Sequence, residues 1–149
     1  MALCLYAAAE RPICVLDCGI GGLTGVRALR NLLPSEKIIY LGDTARVPYG
    51  SKSAGTVERY SVEIAGMLLE RNAKVIVVAC NTASSVAIPK LEQTCSVPVI
   101  GGIRPGAEAA IAATKNGHIG VIGTRATIRS GAYEKTLRGL DSSLKVTSQ

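Results

Sequence analysis

The sequence predicts an α/β fold, an open parallel sheet with flanking helices. Short segments rich in valine and isoleucine alternate with longer segments whose apolar residues recur at helical spacing. Strands that alternate with helices in this way form right-handed βαβ units and a parallel sheet. The 149 residues are 48% hydrophobic but include neither Trp nor Phe, so the core must consist of Val, Ile, Leu and Ala.

The first strand is predicted at 13–17 and leads into the glycine-rich segment 17–22, DCGIGG. A helix over about 23–33 follows, because leucine and valine recur there at helical spacing. The second strand, 38–41, opens into the loop 42–53, GDTARVPYGSKS. This loop is long for a connection between a strand and a helix, and long loops in compact domains are often functional.

The third strand, 75–79, is predicted to be central, because five consecutive apolar residues suit a strand buried on both faces. It follows a helix over about 54–71 that has apolar residues on one face. The strand stops at Cys80, and the polar segment 81–85, NTASS, leads into a helix over about 84–93. A thiol, a carboxamide and hydroxyl groups therefore follow a central strand at its carboxyl end, where open α/β sheets bind ligands.

The remaining elements continue the alternation. A strand at 97–100 precedes an alanine-rich helix that has Pro105 in its first turn and extends to Lys115. A fifth strand is predicted at 118–123, and Ser130 can cap a last helix that ends near residue 140. We expect the first four strands to pair in the order 2-1-3-4.

This strand order places Asp17 beside Cys80 at the carboxyl end of the sheet. A carboxylate there either relays a proton or orients the thiol, or it caps the following helix, and the sequence is compatible with each. Cys80 is either a reactive thiol or a buried structural cysteine beside good capping residues. The segment PYG, 48–50, either offers Tyr49 and glycine N–H groups to a ligand or forms an ordinary turn.

The charge pattern argues against a nucleic-acid-binding protein. The formal net charge is +6, but Lys and Arg are scattered along the chain and are not interleaved with aromatic residues. The surplus of positive charge fits better with attracting a small anionic substrate. Dinucleotide binding is also rejected, because the glycine pattern is G-x-x-G-G and no acidic residue closes the next strand.

The cysteine pattern predicts reduced thiols in a cytoplasmic protein. The five cysteines form no CxxC pair and no zinc spacing with the single histidine, His118, which we interpret as structural. Their odd number and their placement in or beside strands argue against disulfides. The N-terminal segment lacks a basic region typical of signal peptides, and no apolar run approaches transmembrane length, so we expect no membrane association.

Four segments of the chain resemble the motifs of glutamate racemases. They are DCGIGGLT at 17–24, GDTARVPYG at 42–50, VVACNTAS at 77–84 and IGVIGT with SGAY within 119–133. They fall in the order and spacing of that family, and the resemblance covers about residues 12–140. CNTA is shared with aspartate and other amino-acid racemases, whereas GDTARVPYG indicates the glutamate branch.

The resemblance implies a two-base racemisation of glutamate without a cofactor. One cysteine removes the α-proton, and a second cysteine on the opposite face of the substrate returns a proton. A thiolate suits this role because the pKa of a free cysteine, about 8.5, can be tuned by its surroundings. No pyridoxal phosphate and no metal is implied. D-Glutamate made in this way supplies bacterial peptidoglycan precursors, and a homodimer is among the assemblies that the resemblance allows.

The same resemblance implies the residues of the site. Cys80 matches the first catalytic cysteine, and Asp17 matches the carboxylate that assists it. The residues that match the substrate site are Asp17, Cys18, Pro48, Tyr49, Gly50, Cys80, Asn81, Thr82 and Thr124.

Several departures from the family pattern limit what this chain is expected to do. The family carries its second catalytic cysteine in a GCTHYP-like motif of a later domain, and this sequence contains no such motif. We therefore expect an N-terminal extension at 1–11, an incomplete first domain at 12–103 and the beginning of a second domain at 104–149. A non-catalytic remnant that binds an amino acid or a partner protein stays an alternative, as does an aspartate-type racemase. A flavodoxin-like nucleotide-binding or signalling domain is disfavoured, because the sequence has neither a phosphate loop nor an acidic receiver cluster.

Two single residues also depart from the family. Cys18 stands where relatives usually have serine, and Arg104 stands where they are often acidic. Because neighbouring strands lie about 4.8 Å apart, Cys18 should approach the same face of the substrate as Cys80. Cys18 then either replaces serine as a weak hydrogen-bond donor or forms a disulfide with Cys80 on oxidation.

Overall fold

The structure of the chain is a computed structural model that describes residues 10–149. Residues 1–9, which include Cys4 and most of the predicted extension, lie outside the described residues. The first strands and helices are β1 (Ile13–Asp17), α1 (Leu23–Leu32), β2 (Ile38–Gly42), α2 (Ala54–Glu70), β3 (Val75–Val78), α3 (Asn81–Val86) and α4 (Ile88–Thr94). They are followed by β4 (Val99–Gly101), α5 (Ile103–Ala113), β5 (His118–Val121), α6 (Arg125–Ser130), α7 (Ala132–Leu140) and β6 (Lys145–Ser148).

The main sheet is parallel and has the strand order β2-β1-β3-β4, which confirms the predicted order 2-1-3-4. Leu16 of β1 pairs with Val78 of β3, and Asp17 pairs with Gly42 of β2. The carboxyl ends of these three strands therefore meet. Every residue of β1 is buried, whereas burial alternates along β3, so β1 is the more deeply buried of the two inner strands.

The main core lies between one face of this sheet and the helices α2, α3 and α4. Helix α2 contributes an apolar stripe, because residues three and four apart lie on the same face of a helix. Its buried residues are Val57, Ser61, Ile64, Ala65 and Leu68. Ser61 is the exception in this stripe, since its buried Oγ has no hydrogen-bond partner among the described residues.

The last third of the chain builds a second, smaller sheet. Strands β5 and β6 pair in parallel, and neither joins the main sheet. Ala107, Leu137 and Leu144 form a separate small core beneath them. We propose that residues 104–149 belong to a second domain, and this separate sheet and core support that division.

The structure corrects three sequence-based element predictions. The predicted helix 84–93 is two helices, because Pro89 has no N–H for a helical hydrogen bond and stands in the first turn of α4. The N-cap of the last helix is Gly131, whose φ of 65° ends α6 and starts α7, while Ser130, one residue earlier, accepts a hydrogen bond at its Oγ from the N–H of Ala132 at 3.2 Å. Strand β6 and helix α6 were not predicted from the sequence.

Within residues 10–149, every helix is either too short or too polar to cross a lipid bilayer.

Candidate active site

The candidate site lies where β1 and β3 end. Asp17 is the last residue of β1, and Cys80 follows β3 and is the N-cap of α3. A carboxylate oxygen of Asp17, the Sγ of Cys18 and the Sγ of Cys80 all lie within 4.8 Å of one another. The parallel pairing of β1 with β3 thus places the predicted carboxylate and the predicted thiols together.

The carboxylate of Asp17 is 3% exposed and is held by its surroundings. Its Oδ2 accepts hydrogen bonds from the N–H groups of Gly22, at 3.0 Å, and Gly19, at 3.2 Å, and from the hydroxyl of Tyr40, at 2.8 Å. Gly22 is the N-cap of α1, so the carboxylate satisfies the start of that helix and also lies beside the thiols. The two interpretations of Asp17 in the sequence are therefore compatible.

The glycine-rich segment approaches the sheet too closely for larger residues. A Cβ on Gly22 would lie 2.7 Å from the Cβ of Ala79, and a Cβ on Gly42 would lie 1.9 Å from the carbonyl oxygen of Gly19. In folded proteins a Cβ atom essentially never lies this close to a non-bonded heavy atom. These glycines let the segment 17–22 lie flat against the strand ends and deliver its N–H groups to Asp17.

The thiol of Cys80 is 5% exposed and is the more acidic of the two cysteines in the site. Its Sγ accepts a hydrogen bond from the N–H of Ala83 at 3.4 Å. A hydrogen bond from Cys18 is the main reason why the pKa of the Cys80 thiol is lowered to about 7. The N–H groups of Ala83 and Thr82 stabilise the thiolate as well, whereas burial and the Asp17 carboxylate act in the opposite direction.

The pKa of Cys18 is raised, first because its thiol donates that hydrogen bond to Cys80 and secondly because it is desolvated. Cys80 therefore ionises first, and Cys18 keeps its proton. Both cysteines are free thiols in the structure. The weak-donor interpretation of Cys18 describes this arrangement, and the disulfide stays a prediction.

Three threonine hydroxyls form a cluster between the two sheets. The Oγ1 of Thr82 lies 2.9 Å from that of Thr124 and 3.3 Å from that of Thr127, and the latter two lie 3.0 Å apart. Thr124 is also the N-cap of α6 and accepts a hydrogen bond from the N–H of Thr127. The cluster therefore links α3 to α6, the helix that follows β5 of the second sheet.

The loop segment 48–50 packs against the same cluster. A Cβ on Gly50 would lie 2.4 Å from the Cβ of Thr124, so only glycine permits this approach. Tyr49 is buried, and its hydroxyl donates a hydrogen bond to Asp43 at 2.5 Å. Burial raises the pKa of Tyr49, as does the bond to Asp43. The hydroxyl of Tyr49 therefore already has a hydrogen-bond partner in Asp43, and the residue forms part of the cavity wall. Pro48, which precedes it, follows a cis peptide bond.

Asn81 and Tyr133 close another side of the site. The hydroxyl of Tyr133 on α7 donates a hydrogen bond to the Oδ1 of Asn81 at 2.6 Å. Burial raises the pKa of Tyr133, so its hydroxyl stays protonated. The sequence interpretation did not assign Tyr133 or Thr127 to the site. The T-x-x-T spacing at 124–127 could have indicated Thr127, because the side chain of an N-cap threonine accepts a hydrogen bond from an N–H two or three residues later.

Asp17, the two thiols, the threonine cluster, the segment 48–50, Asn81 and Tyr133 line one cavity of about 930 Å³. That volume lies within the range of about 300–1,000 Å³ typical of small-molecule sites. All nine site residues predicted from the sequence line it: Asp17, Cys18, Pro48, Tyr49, Gly50, Cys80, Asn81, Thr82 and Thr124. Asp17 is the one charged side chain among the described residues of its lining. The net charge of +6 is therefore carried elsewhere on the chain.

Comparisons with known proteins identify relatives of this chain. The family described as Asp/Glu/Hydantoin racemase matches residues 25–148. A glutamate racemase of Geobacter metallireducens is 51% identical over 139 residues, which cover 93% of this chain and 52% of the relative. The chain spans about half the length of the curated relatives it matches.

Solved structures of glutamate racemases have the same fold. Isoform RacE1 from Bacillus anthracis gives a TM-score of 0.91 at 48% identity, covering 94% of this chain and 53% of that chain. The Francisella tularensis enzyme, solved in complex with D-glutamate, gives a TM-score of 0.86 at 40% identity, covering 94% of this chain and 52% of that chain. These likenesses agree with the architecture of the main sheet and its helices.

Proposed function

This chain belongs to the Asp/Glu/Hydantoin racemase family, and on that premise we propose that it carries one of the two acid–base faces of a glutamate racemase. The observation that carries the proposal is the position of Cys80, whose acidic thiol lies beside Asp17 in the wall of the cavity. The curated relatives named above are glutamate racemases, and one solved relative holds D-glutamate. Glutamate is therefore the proposed substrate.

Cys80 is the proposed base. Its thiolate takes the proton from Cα of glutamate, so the S–H bond forms as the Cα–H bond breaks and the electron pair stays on the substrate. A thiol with a pKa of about 7 suits this work near neutral pH, because it is both a populated thiolate and a usable acid. Asp17 is proposed as a positioning residue, fixed by the glycine N–H groups beside the two thiols.

The proposed substrate must bind through neutral groups. No Lys or Arg is among the described residues that line the cavity. The carboxylates of glutamate are therefore proposed to accept hydrogen bonds from backbone N–H groups and from threonine and asparagine side chains. The glycine-rich segment, Asn81 and the threonine cluster supply such donors.

Inversion needs a second proton donor on the opposite face of the substrate. Among the described cysteines, only Cys18 and Cys80 line the cavity, and both stand at the ends of adjacent strands. Cys18 lies too near to Cys80 to serve the other face. We therefore propose that this chain by itself supports exchange of the α-proton with solvent but not inversion.

Deuterium exchange tests this proposal. Each enantiomer of glutamate is incubated separately with the chain in D2O, and loss of the α-proton signal is followed by proton NMR. We expect exchange with retention in one enantiomer, its loss in Cys80→Ser, and normal exchange in Cys95→Ser, whose thiol lies outside the cavity lining. Saturable binding of glutamate without exchange would favour the non-catalytic amino-acid-binding alternative. Faster exchange of aspartate than of glutamate would favour an aspartate-type racemase.

The cellular role is proposed on the same basis. D-Glutamate made by a racemase that contains this acid–base face is proposed to supply peptidoglycan synthesis in the cytoplasm, and the free thiols of the described residues are consistent with a reducing compartment. A homodimer also stays a prediction, which sedimentation equilibrium of the purified chain tests.

A further inference from the structure

We propose that Cys18, Cys80 and Asp17 form a binding site for a thiophilic divalent cation such as Zn²⁺, and that the bound cation blocks the cavity reversibly. Two sulfur atoms and one carboxylate oxygen lie within 4.8 Å of one another. All three belong to buried or half-buried residues. The inference concerns an inhibitory ligand and goes beyond the proposed racemisation, in which the metal has no part.

The spacing of the donor atoms suits one tetrahedral ion. Zinc binds thiolate sulfur at about 2.3 Å in a tetrahedral arrangement, which puts two sulfur ligands about 3.8 Å apart. The observed upper limit of 4.8 Å between the donor atoms is close to that value. The two sulfur atoms therefore need to approach each other by at most about 1 Å to reach that spacing.

The three ligands differ in how firmly they are held, in a way that favours binding. Asp17 is fixed by three hydrogen bonds to its Oδ2, while its Oδ1 accepts none from the described residues. Cys80 is fixed at the start of α3. Cys18 is half-buried on the glycine-rich segment and can adjust. Two fixed ligands and one adjustable ligand allow a metal to be captured without moving the sheet.

The charges around the site favour a cation. Among the described residues that line the cavity, Asp17 is acidic and none is basic. On binding, a divalent ion displaces the proton of the Cys18 thiol to solvent and then meets two thiolates and a carboxylate, with no competing ammonium or guanidinium group in the described lining. Thiolate ligands select zinc, cadmium or cobalt over magnesium and calcium, which prefer oxygen ligands. The cavity leaves room for water as the fourth ligand.

Occupation by metal would remove the base. A thiolate that shares its electron pair with a cation cannot accept a proton from Cα, so a metal on Cys80 stops exchange until it is removed. The residue that makes this site possible is Cys18, because a serine at that position offers a much weaker ligand for a soft metal.

Spectroscopic titration of the full chain with Co²⁺ tests the site. The chain is kept reduced with a phosphine, and thiolate-to-cobalt charge-transfer bands and the visible bands of tetrahedral cobalt are followed. We expect one equivalent to bind with two thiolate ligands, and Zn²⁺ to displace it. Cys18→Ser should weaken binding by about 100-fold, because a soft ligand is lost. Circular dichroism checks that the variant is folded.

Two matched controls keep the result specific. Cys95→Ser changes a half-buried thiol outside the cavity, and Cys4→Ser changes one outside the described residues. Both variants should bind cobalt like the parent chain. Absence of charge-transfer bands, equal affinity in Cys18→Ser, or loss of binding in either control would overturn the proposal. The readout uses no glutamate, so its failure is separate from failure of the proposed racemisation.

Discussion

The hydroxyl oxygens of Thr82 and Thr124 lie 2.9 Å apart, although 42 residues separate them in the chain. Thr82 belongs to α3, which follows β3 of the main sheet, and Thr124 caps α6, which follows β5, the first strand of the second sheet. With Thr127 they form a polar contact that joins the two parts of the chain beside the cavity, as does the hydrogen bond from Tyr133 to Asn81.

Replacing Thr82 with valine removes its hydroxyl and keeps its shape. Because Thr82 is buried, the loss of its hydrogen bonds should lower the free energy of unfolding by about 1–2 kcal/mol. Urea denaturation measures the change. Thr94→Val is the control, since Thr94 is exposed and its Oγ1 donates to carbonyl oxygens of its own helix, and it should change stability by about 0.5 kcal/mol or less. Equal effects of the two substitutions would contradict the role of the cluster.

Gly50→Ala should open the contact between the loop and α6. Its Cβ would lie 2.4 Å from the Cβ of Thr124, so the two segments must move apart. We expect a loss of about 2 kcal/mol or more, as for overpacking in a core, measured by thermal unfolding. Gly66→Ala provides the contrast, because no atom lies within 4 Å of its added Cβ and alanine favours the helix. Gly66→Ala should stabilise the chain. If Gly50→Ala leaves the stability unchanged, the loop and α6 can move apart at little cost, and the prediction is wrong.

The reactivity of Cys80 should depend on pH with a midpoint near 7. Below the midpoint the thiol is protonated and unreactive, and above it the thiolate is alkylated, so the rate rises with pH. Cys18→Ala removes the hydrogen bond that lowers the pKa of Cys80 and should move the midpoint up, towards about 8.5. Timed alkylation with iodoacetamide, followed by mass spectrometry of the Cys80 peptide, measures it. A midpoint that does not rise in Cys18→Ala, or that rises equally in Cys95→Ala, would refute the assignment.

Ser61→Ala should stabilise the chain. The buried hydroxyl of Ser61 has no partner among the described residues, so its removal ends a desolvation cost and adds a better helix former. We expect a gain of about 1 kcal/mol in the free energy of unfolding. Differential scanning calorimetry compares the variant with Ala65→Ser, one helical turn away at a buried position. Ala65→Ser should destabilise, and a loss of stability in Ser61→Ala would mean that the hydroxyl is bonded in solution.

The purified chain should not convert L-glutamate to D-glutamate at a useful rate. Only one face of the proposed substrate has a thiol among the described residues, and inversion needs proton delivery from the other face. Chiral chromatography after long incubation measures the product. Robust formation of D-glutamate, with contaminating racemase excluded, would contradict the one-face assignment and would call for a donor that the cavity lining does not show.

Much of the site was accessible from the sequence because it depends on local rules. Polar residues that directly follow apolar strands come together at the carboxyl edge of a parallel sheet when the strands are neighbours, and the predicted strand order made β1 and β3 neighbours, so Asp17 and Cys80 could be paired before the fold was known. Thr127 and Tyr133 were missed because their place in the cavity depends on how α6 and α7 pack across the first sheet's end. Helical spacing does not encode that packing.

The errors in the fold have similar causes. Strand β6 was missed because KVTS is short and only its Val146 is half-buried. The break between α3 and α4 was signalled by Pro89 but was overridden by the apolar pattern on both sides. The sequence analysis also did not include the hydrogen bond that the hydroxyl of Tyr49, a residue of the cavity lining, donates to Asp43, six residues earlier. Such a pairing follows from loop geometry rather than from composition.

The contact between Gly50 and Thr124 also constrains how this protein can evolve. Any side chain at position 50 requires a smaller residue at position 124 first, since the threonine leaves no room. Shortening Thr124 first would instead remove a hydroxyl from the cluster and the cap from α6. The two positions are therefore coupled, and the cost in stability of a side chain at position 50 should depend on which residue occupies position 124.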